Sequence, residues 1–369
     1  MPNPVDERPP TDPPSEHVLT APAPTEAVIT GRRLRDNQPH TFSEKFRDNL
    51  RYSRGRGAFE IGIIFALVLI GFIVAGTVAP AAFPFLSASN LSGVISQSIP
   101  VLALLGIAAG ILMVAGEFDL SLGANIGFTA IIFINVSEAT SWPVGIVAGL
   151  AASTSIALIN GMIVVLTRIP SFIATLGMGF FWVGASIFVN GTSPAILVDA
   201  KDDTLATLFA GDFGFFRAQL VWLVLIGALA WLFLHRHKLG NHIYAVGGNP
   251  SAAKAISIKP TSVRLLAFAV FGLLVGFATI LISVRTGSMQ PGSTDDYTLM
   301  AIAAAVVGGC SLNGGRGSVI GMVIGAALIR LIENGLILAK APGFYIQLFV
   351  GLIIVVAAIF NKLMEGKAS

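Results

Sequence analysis

The stretch IGIIFALVLIGFIVAGTVAP, residues 61–80, carries no charged side chain and a single hydroxyl, that of Thr77. At about 1.5 Å of rise per residue, a helix of this length crosses the roughly 30 Å of bilayer hydrocarbon. It does not alternate apolar and polar residues at every second position, as a lipid-facing barrel strand would. Outward from it, nine further apolar runs lie at about 94–114, 121–136, 143–166, 171–190, 218–235, 262–283, 296–309, 317–337 and 344–361. In lipid every backbone polar group needs a partner within the protein, so continuous apolar runs read as helices. The expected fold is an all-α integral membrane protein of about ten transmembrane helices. The second and third runs are divided only by a short polar motif and the eighth is short, so eight or nine full spans fit as well.

Composition agrees. Hydrophobic residues make up 54% of the 369-residue chain and charged residues only 12%, against about 25% charged in a soluble domain. Forty glycines suit helices that approach one another closely in lipid. The one cysteine, Cys310, excludes a disulfide framework or a cysteine-built metal cluster. A net charge of +3, with the basic residues at membrane edges, gives no reason to expect a nucleic-acid partner.

Residues 1–57 stand apart, with nine of the 19 prolines, nine Lys or Arg residues and no sustained apolar run. Such a segment buries too little apolar surface to offset its chain entropy and is expected to be disordered. It lacks the basic start and apolar h-region of a signal peptide. Phe42, Phe46 and Leu50, beside Lys45, Arg47 and Arg51, suit either a short helix on the membrane surface or a solvated linker. Basic residues in short loops set the orientation. With ten spans, the inner loops and carboxyl tail hold Arg168, Arg236, Lys238, Lys254, Lys259, Arg264, Arg316, Lys362 and Lys367; the outer loops hold Lys201, Arg217, Arg285 and Lys340. Both termini are expected in the cytoplasm. The chain then reads as a proline-rich tail (1–57), a transmembrane domain (58–363) and a short tail (364–369). The acidic loop 191–217 would face outward and the basic loop 236–261 inward.

Four motifs interrupt the apolar pattern. In Gly247-Gly248-Asn249-Pro250-Ser251-Ala252-Ala253-Lys254, Asn249 is a good N-cap and Pro250 suits the first helical position. The segment reads as a short, small-surfaced helix outside the membrane, either an ordinary capped loop or a peg for a partner, with Ala252 and Ala253 permitting close contact. Gly116-Glu117-Phe118-Asp119-Leu120-Ser121-Leu122-Gly123 places two carboxylates beside spanning segments, which is costly unless they are capped, paired or wet. Asp119 or Ser121 is expected to cap the third span; a role at a gate or pathway is the alternative. Gly308 to Ser318, with Gly314, Gly315 and Arg316, is a glycine-rich turn in which Arg316 anchors at the inner edge. Arg330 and Glu333 lie three apart on one helix face, as a self-neutralising pair or as pathway groups. His235, His237 and His242 read as solvated rather than metal-ligating. No catalytic constellation and no Gly-x4-Gly-Lys-Ser/Thr loop occurs, so no enzyme activity is expected.

Asn160-Gly161-Met162-Ile163 ends the fourth run and Asn334-Gly335-Leu336-Ile337 the ninth, with Pro170 and Pro342 following. The two runs point in opposite directions, so this echo is either an inverted repeat, with Asn160 and Asn334 near a midplane pathway, or a coincidence of a common pair.

At these motifs the sequence resembles the membrane permease subunits of bacterial ABC importers for ribose, xylose and related simple sugars, within the branched-chain amino acid/sugar permease family. The resemblance rests on Asp119-Leu120-Ser121-Leu122-Gly123, on Gly248-Asn249-Pro250 with Ala252-Ala253, on Ala303 through Gly317, and on Asn334-Gly335. It covers about residues 58–363. It departs at Glu117 and Ser257, where glycine is frequent, at Cys310, where threonine is frequent, and at Arg330 and Glu333, where small or amide side chains are usual. The resemblance implies a fold similar to the vitamin B12 importer's membrane subunit and a second permease copy or paralogue. It also implies cytoplasmic ATPase subunits that hold the ATP and Mg, and a periplasmic or lipid-anchored sugar-binding protein, all at the bacterial inner membrane. The helix from Asn249 would then couple to the ATPase. The rival reading is a secondary transporter driven by an ion gradient, for which Glu333 is the candidate carboxylate.

Overall fold

The computed structural model describes residues 58–198, 204–214, 216–292 and 296–345, with scattered positions up to 359. The chain divides into Met1–Asn49 and Leu50–Ser369, and every described residue belongs to the second part. The proline-rich tail, the short carboxyl tail and much of the tenth run lie outside the described residues, as do Asp199, Asp202 and Asp203.

The described chain is a helical bundle. Helix α1 (Ala58–Val78) is followed by α2 (Ala88–Gly93), a π-helical turn (Val94–Ser98) and α3 (Ile99–Val114), which together form one 27-residue span. This span begins six residues before the apolar run, because the Ser87 side chain caps α2 by accepting from the Asn90 amide. Helices α4 (Leu122–Ala139), α5 (Trp142–Thr167) and α6 (Ser171–Asn190) come next, then a connection holding α7 (Thr204–Ala210). Beyond it lie α8 (Ala218–His235), α9 (Lys238–Gly248), α10 (Pro250–Ala255), α11 (Pro260–Thr286), α12 (Asp296–Val307) and α13 (Val319–Leu338). Eight spans among the described residues are long and apolar enough to cross a membrane, and α12 is a shorter apolar helix. Two short antiparallel ribbons join connections: β1 (Ala195–Ile196) with β4 (Ser288–Met289), and β2 (Asp212–Phe213) with β3 (Phe216–Arg217).

Every residue of α3 is buried. It packs against α8, α11, α12 and α13, while α11 in turn packs against α4 and α5. Small residues set these approaches. On α3, a Cβ at Gly110 would stand 2.5 Å from the Met322 side chain of α13, and one at Gly106 would stand 3.1 Å from Ala304 of α12. On α11, a Cβ at Gly272 would stand 2.7 Å from Ala157 of α5, and one at Gly276 would stand 2.9 Å from Ser153. The Ser153 hydroxyl donates to the Gly272 carbonyl at 2.7 Å, tying an α5 side chain to the α11 backbone. Helices α1 and α6 leave most of their apolar surface outside, as suits contact with lipid tails.

Candidate functional site

Three chain segments meet as backbone at one end of the bundle: the end of α3, the end of α9 and the glycine-rich turn before α13. A Cβ at Gly247 would lie 1.8 Å from the Val114 carbonyl oxygen and 2.8 Å from the Gly315 nitrogen. The Gly315 amide donates to that same Val114 oxygen at 2.9 Å. Gly314 (φ +83) and Gly315 (φ +71) hold left-handed backbone there, with Gly116 (φ +85) beneath them. A second tie comes from Tyr244 on α9, whose hydroxyl donates to the Gly317 carbonyl at 2.7 Å. His235 completes it, accepting at Nε2 from the Val319 amide at 3.3 Å. His235 is thus a half-buried structural residue and not a solvated one, because the α13 start docks on it. His237 is exposed and caps α9, accepting at Nδ1 from the Leu239 amide.

This clasp carries α10. Asn249 accepts from the Ala252 amide at 3.0 Å as its N-cap, and Pro250 opens the helix, as the local sequence demands. Ser251, Ala252 and Lys254 are exposed, but Ala253 is buried among the chain's own core residues. The expected contact face is corrected accordingly: Ala253 faces inward, and Ala252 lies on the outer side.

The connection between α3 and α4 is held by side chains. The Phe118 amide donates to the Ser171 hydroxyl (3.0 Å), that of Leu120 to Thr175 (2.9 Å), and that of Gly123 to Thr298 (2.8 Å). Ser121 stands at the α4 N-cap position without a side-chain cap bond. Its hydroxyl instead donates to Asp119 Oδ1, which also accepts the Ser121 amide at 2.7 Å. Asn160 donates to Asp119 Oδ2 (3.0 Å) and to Ser121 Oγ (2.7 Å). All three side chains are buried, so the expected cap becomes a buried network in which Asn160 Oδ1 is left without a partner among the described residues. Burial pushes the Asp119 carboxyl up, against the pull of Ser121 and Asn160. Glu117 lies 3.0 Å from Arg264 at the start of α11; burial raises its carboxyl, while the Ser171 hydroxyl and the Arg264 guanidinium oppose the rise.

Away from this end, Arg330 and Glu333 pair at 2.6 Å on α13. Asn334 exchanges side-chain amide bonds with Asn90 (2.8 and 3.2 Å). The structure therefore gathers Glu117, Asp119, Ser121 and Asn160 around one connection and places Glu333 and Asn334 elsewhere. Arg316 is exposed and contributes its carbonyl, which accepts from the Ser311 amide. Cys310 is buried and its thiol is pushed up to about 12, which leaves it a packing group. Sequence reasoning missed Asn90, Tyr244, Ser171 and Thr175, and the helix α9. For α9 a signal existed: Gly240, Ile243 and Val246-Gly247 recur at helical spacing.

Residues 90–358 match the family described as branched-chain amino acid transport system / permease component, and the chain belongs to that family. It is 32% identical over 306 residues to the ribose import permease protein RbsC of Escherichia coli K12, covering 81% of this chain and 92% of that protein. It is 28% identical over 319 residues to the fructose import permease protein FrcC of Rhizobium meliloti, covering 84% and 86%. It is 32% identical over 289 residues to the autoinducer 2 import system permease protein LsrC of Enterobacter sp. 638, covering 78% and 82%. No solved structure matches the chain. The protein is a multi-pass membrane permease component, a transport subunit and not a catalytic one.

Proposed function

We propose that this chain forms the translocation pathway of an ATP-binding-cassette importer for a simple sugar, a pentose, hexose or related polyol, in a bacterial inner membrane. Family membership and relatives named for ribose and fructose import support the class. One structural observation carries the mechanism. The exposed helix α10 sits on α9, whose end is locked by backbone contact to α3 and to the turn that starts α13. A push on α10 by a cytoplasmic ATPase therefore reaches the central span and α13 through backbone contact at Gly247, Val114 and Gly315, backed by the Tyr244 and His235 ties. In this reading the exposed Gly248, Asn249, Pro250, Ser251, Ala252 and Lys254 couple to the ATPase, Gly123, Gly247, Ala253, Gly314, Gly315, Arg316 and Arg330 are structural, and the Glu117, Asp119, Ser121 and Asn160 group holds the gate beside α6.

The neighbour pattern supports an inverted repeat like that of a vitamin B12-importer permease. Helices α3, α4 and α5 correspond to α11, α12 and α13. The pairs α4–α5 and α12–α13 match, as do α3–α13 and α11–α5, and α3 meets α11 between them. Gly-x3-Gly pairs fall on both α3 (106/110) and α11 (272/276), and on both α5 (145/149) and α13 (321/325), while α4 has one (123/127) and α12 none. Both termini lie in the cytoplasm, with about ten spans, a second permease copy and a sugar-binding protein outside. The ion-coupled alternative needs a carboxylate free to cycle, whereas Glu333 is engaged by Arg330. Proteoliposomes decide between them. With ATPase subunits, binding protein and internal ATP, D-ribose as probe should accumulate, and the permease alone should accumulate none. Uptake driven by a proton or sodium gradient without the ATPase would overturn the reading.

A further inference from the structure

The end of α8 that leads into α9 carries a feature that the transport reading does not use. Leu232, Phe233, Arg236 and His237 line an open cleft of about 410 Å³, and Lys238 follows directly in sequence. The cleft continues an exposed apolar stripe, because Val221, Leu225, Leu229 and Leu232 fall on the α8 face that ends at Arg236. The Arg236 guanidinium lies 5.4 Å over the Trp231 ring, and the His237 ring stacks on Phe233 at 6.4 Å. With Nδ1 accepting from the Leu239 amide, His237 keeps Nε2 for an outside partner. Among the described residues, no ion pair involves Arg236 or Lys238. The sequence offers no near carboxylate either, since no Asp or Glu occurs between Asp212 and Asp295.

We infer that this cleft is a binding site for one anionic phospholipid, its phosphate held by Arg236, His237 and Lys238 and one acyl chain laid along Leu232, Leu229 and Leu225. A fixed guanidinium matches phosphate oxygens in a two-pronged geometry. A tryptophan at the headgroup level and a basic cluster beside an apolar helix face are what such a lipid recognises. A free phosphate would satisfy the cations and leave the apolar stripe unused, and an acidic protein would have to reach into the membrane edge. The inference rests on the chain spanning a membrane and not on its transport role.

The test uses the full-length protein, delipidated in detergent and titrated with dioleoyl phosphatidylglycerol or dioleoyl phosphatidylcholine under native mass spectrometry. The first phosphatidylglycerol should bind in preference to phosphatidylcholine. In the Arg236→Gln/Lys238→Gln variant its Kd should rise by on the order of tenfold or more, with phosphatidylcholine binding unchanged. Arg285→Gln/Lys340→Gln, at the opposite end of the bundle, should alter neither. Independently, brominated phosphatidylglycerol should quench wild-type tryptophan fluorescence more than brominated phosphatidylcholine, and Trp231→Phe should remove the difference. Equal binding of the two lipids, an unchanged Kd in the double variant, displacement by inorganic phosphate, or loss of the lipid when ATPase subunits assemble would each overturn the assignment.

Discussion

The carbonyl oxygen of Val114 occupies the space that a side chain on residue 247 would need, with 1.8 Å between them. One position later the space opens, since a Cβ at Gly248 would meet nothing nearer than the Gly315 Cα at 3.9 Å. Gly247→Ala is therefore expected to cost about 1–3 kcal/mol, the usual penalty of overpacking. Gly248→Ala should stay within about 0.5 kcal/mol of wild type. Thermal unfolding in detergent reads both, and equal melting temperatures would mean that the clasp is looser than described.

Arg330 and Glu333 are mostly buried, with side chains 12% and 21% exposed. Removing either to alanine strands the other in an apolar surrounding, at about 3–5 kcal/mol. The double replacement should lose less than either single one. Additive losses would show that each charge has found its own solvent or partner.

The two neighbouring alanines of α10 separate docking from folding. Ala252→Glu should express and insert normally yet fail to copurify with ATPase subunits, because residue 252 is exposed. Ala253→Glu should lower the folded yield itself, since it forces a carboxylate into a buried position. Normal copurification of Ala252→Glu would remove α10 as the coupling surface.

Glu117 gives a pH dependence of stated sign. Burial holds its carboxyl above the ordinary range, so the folded chain binds this proton more tightly than the unfolded chain does. Stability from this group is then highest in acid and falls as pH rises from the ordinary carboxylate value through the raised one. The melting temperature of wild type minus that of Glu117→Gln should decline between acid and neutral pH. A difference that stays flat or rises would contradict the burial of this carboxyl.

What could be read in advance was what local chemistry decides. Asn249 and Pro250 specify a helix start from adjacent residues, and the apolar runs specify spans by length alone. Asn334 and Asn90 meet across 244 positions, and Asn160 reaches Asp119 across 41. No local rule pairs them, because the pairing is a product of helix packing. The direction in which Ala253 faces was hidden for another reason. A six-residue helix built of one proline, one serine, three alanines and one lysine has no apolar stripe to name its inner side.

The connection from Phe118 to Ser121, with the first turn of α4 at Gly123, differs from the helix interiors around it in how its amides are satisfied. Ser171 and Thr175 on α6 and Thr298 on α12 supply hydroxyls across separate elements. Such bonds can break and re-form when α6 or α12 shifts, while each helix keeps its own ladder intact. The amides of residues 118, 120 and 123 thus form a seam whose solvent exchange clocks the sliding of its two walls, independently of any unfolding elsewhere.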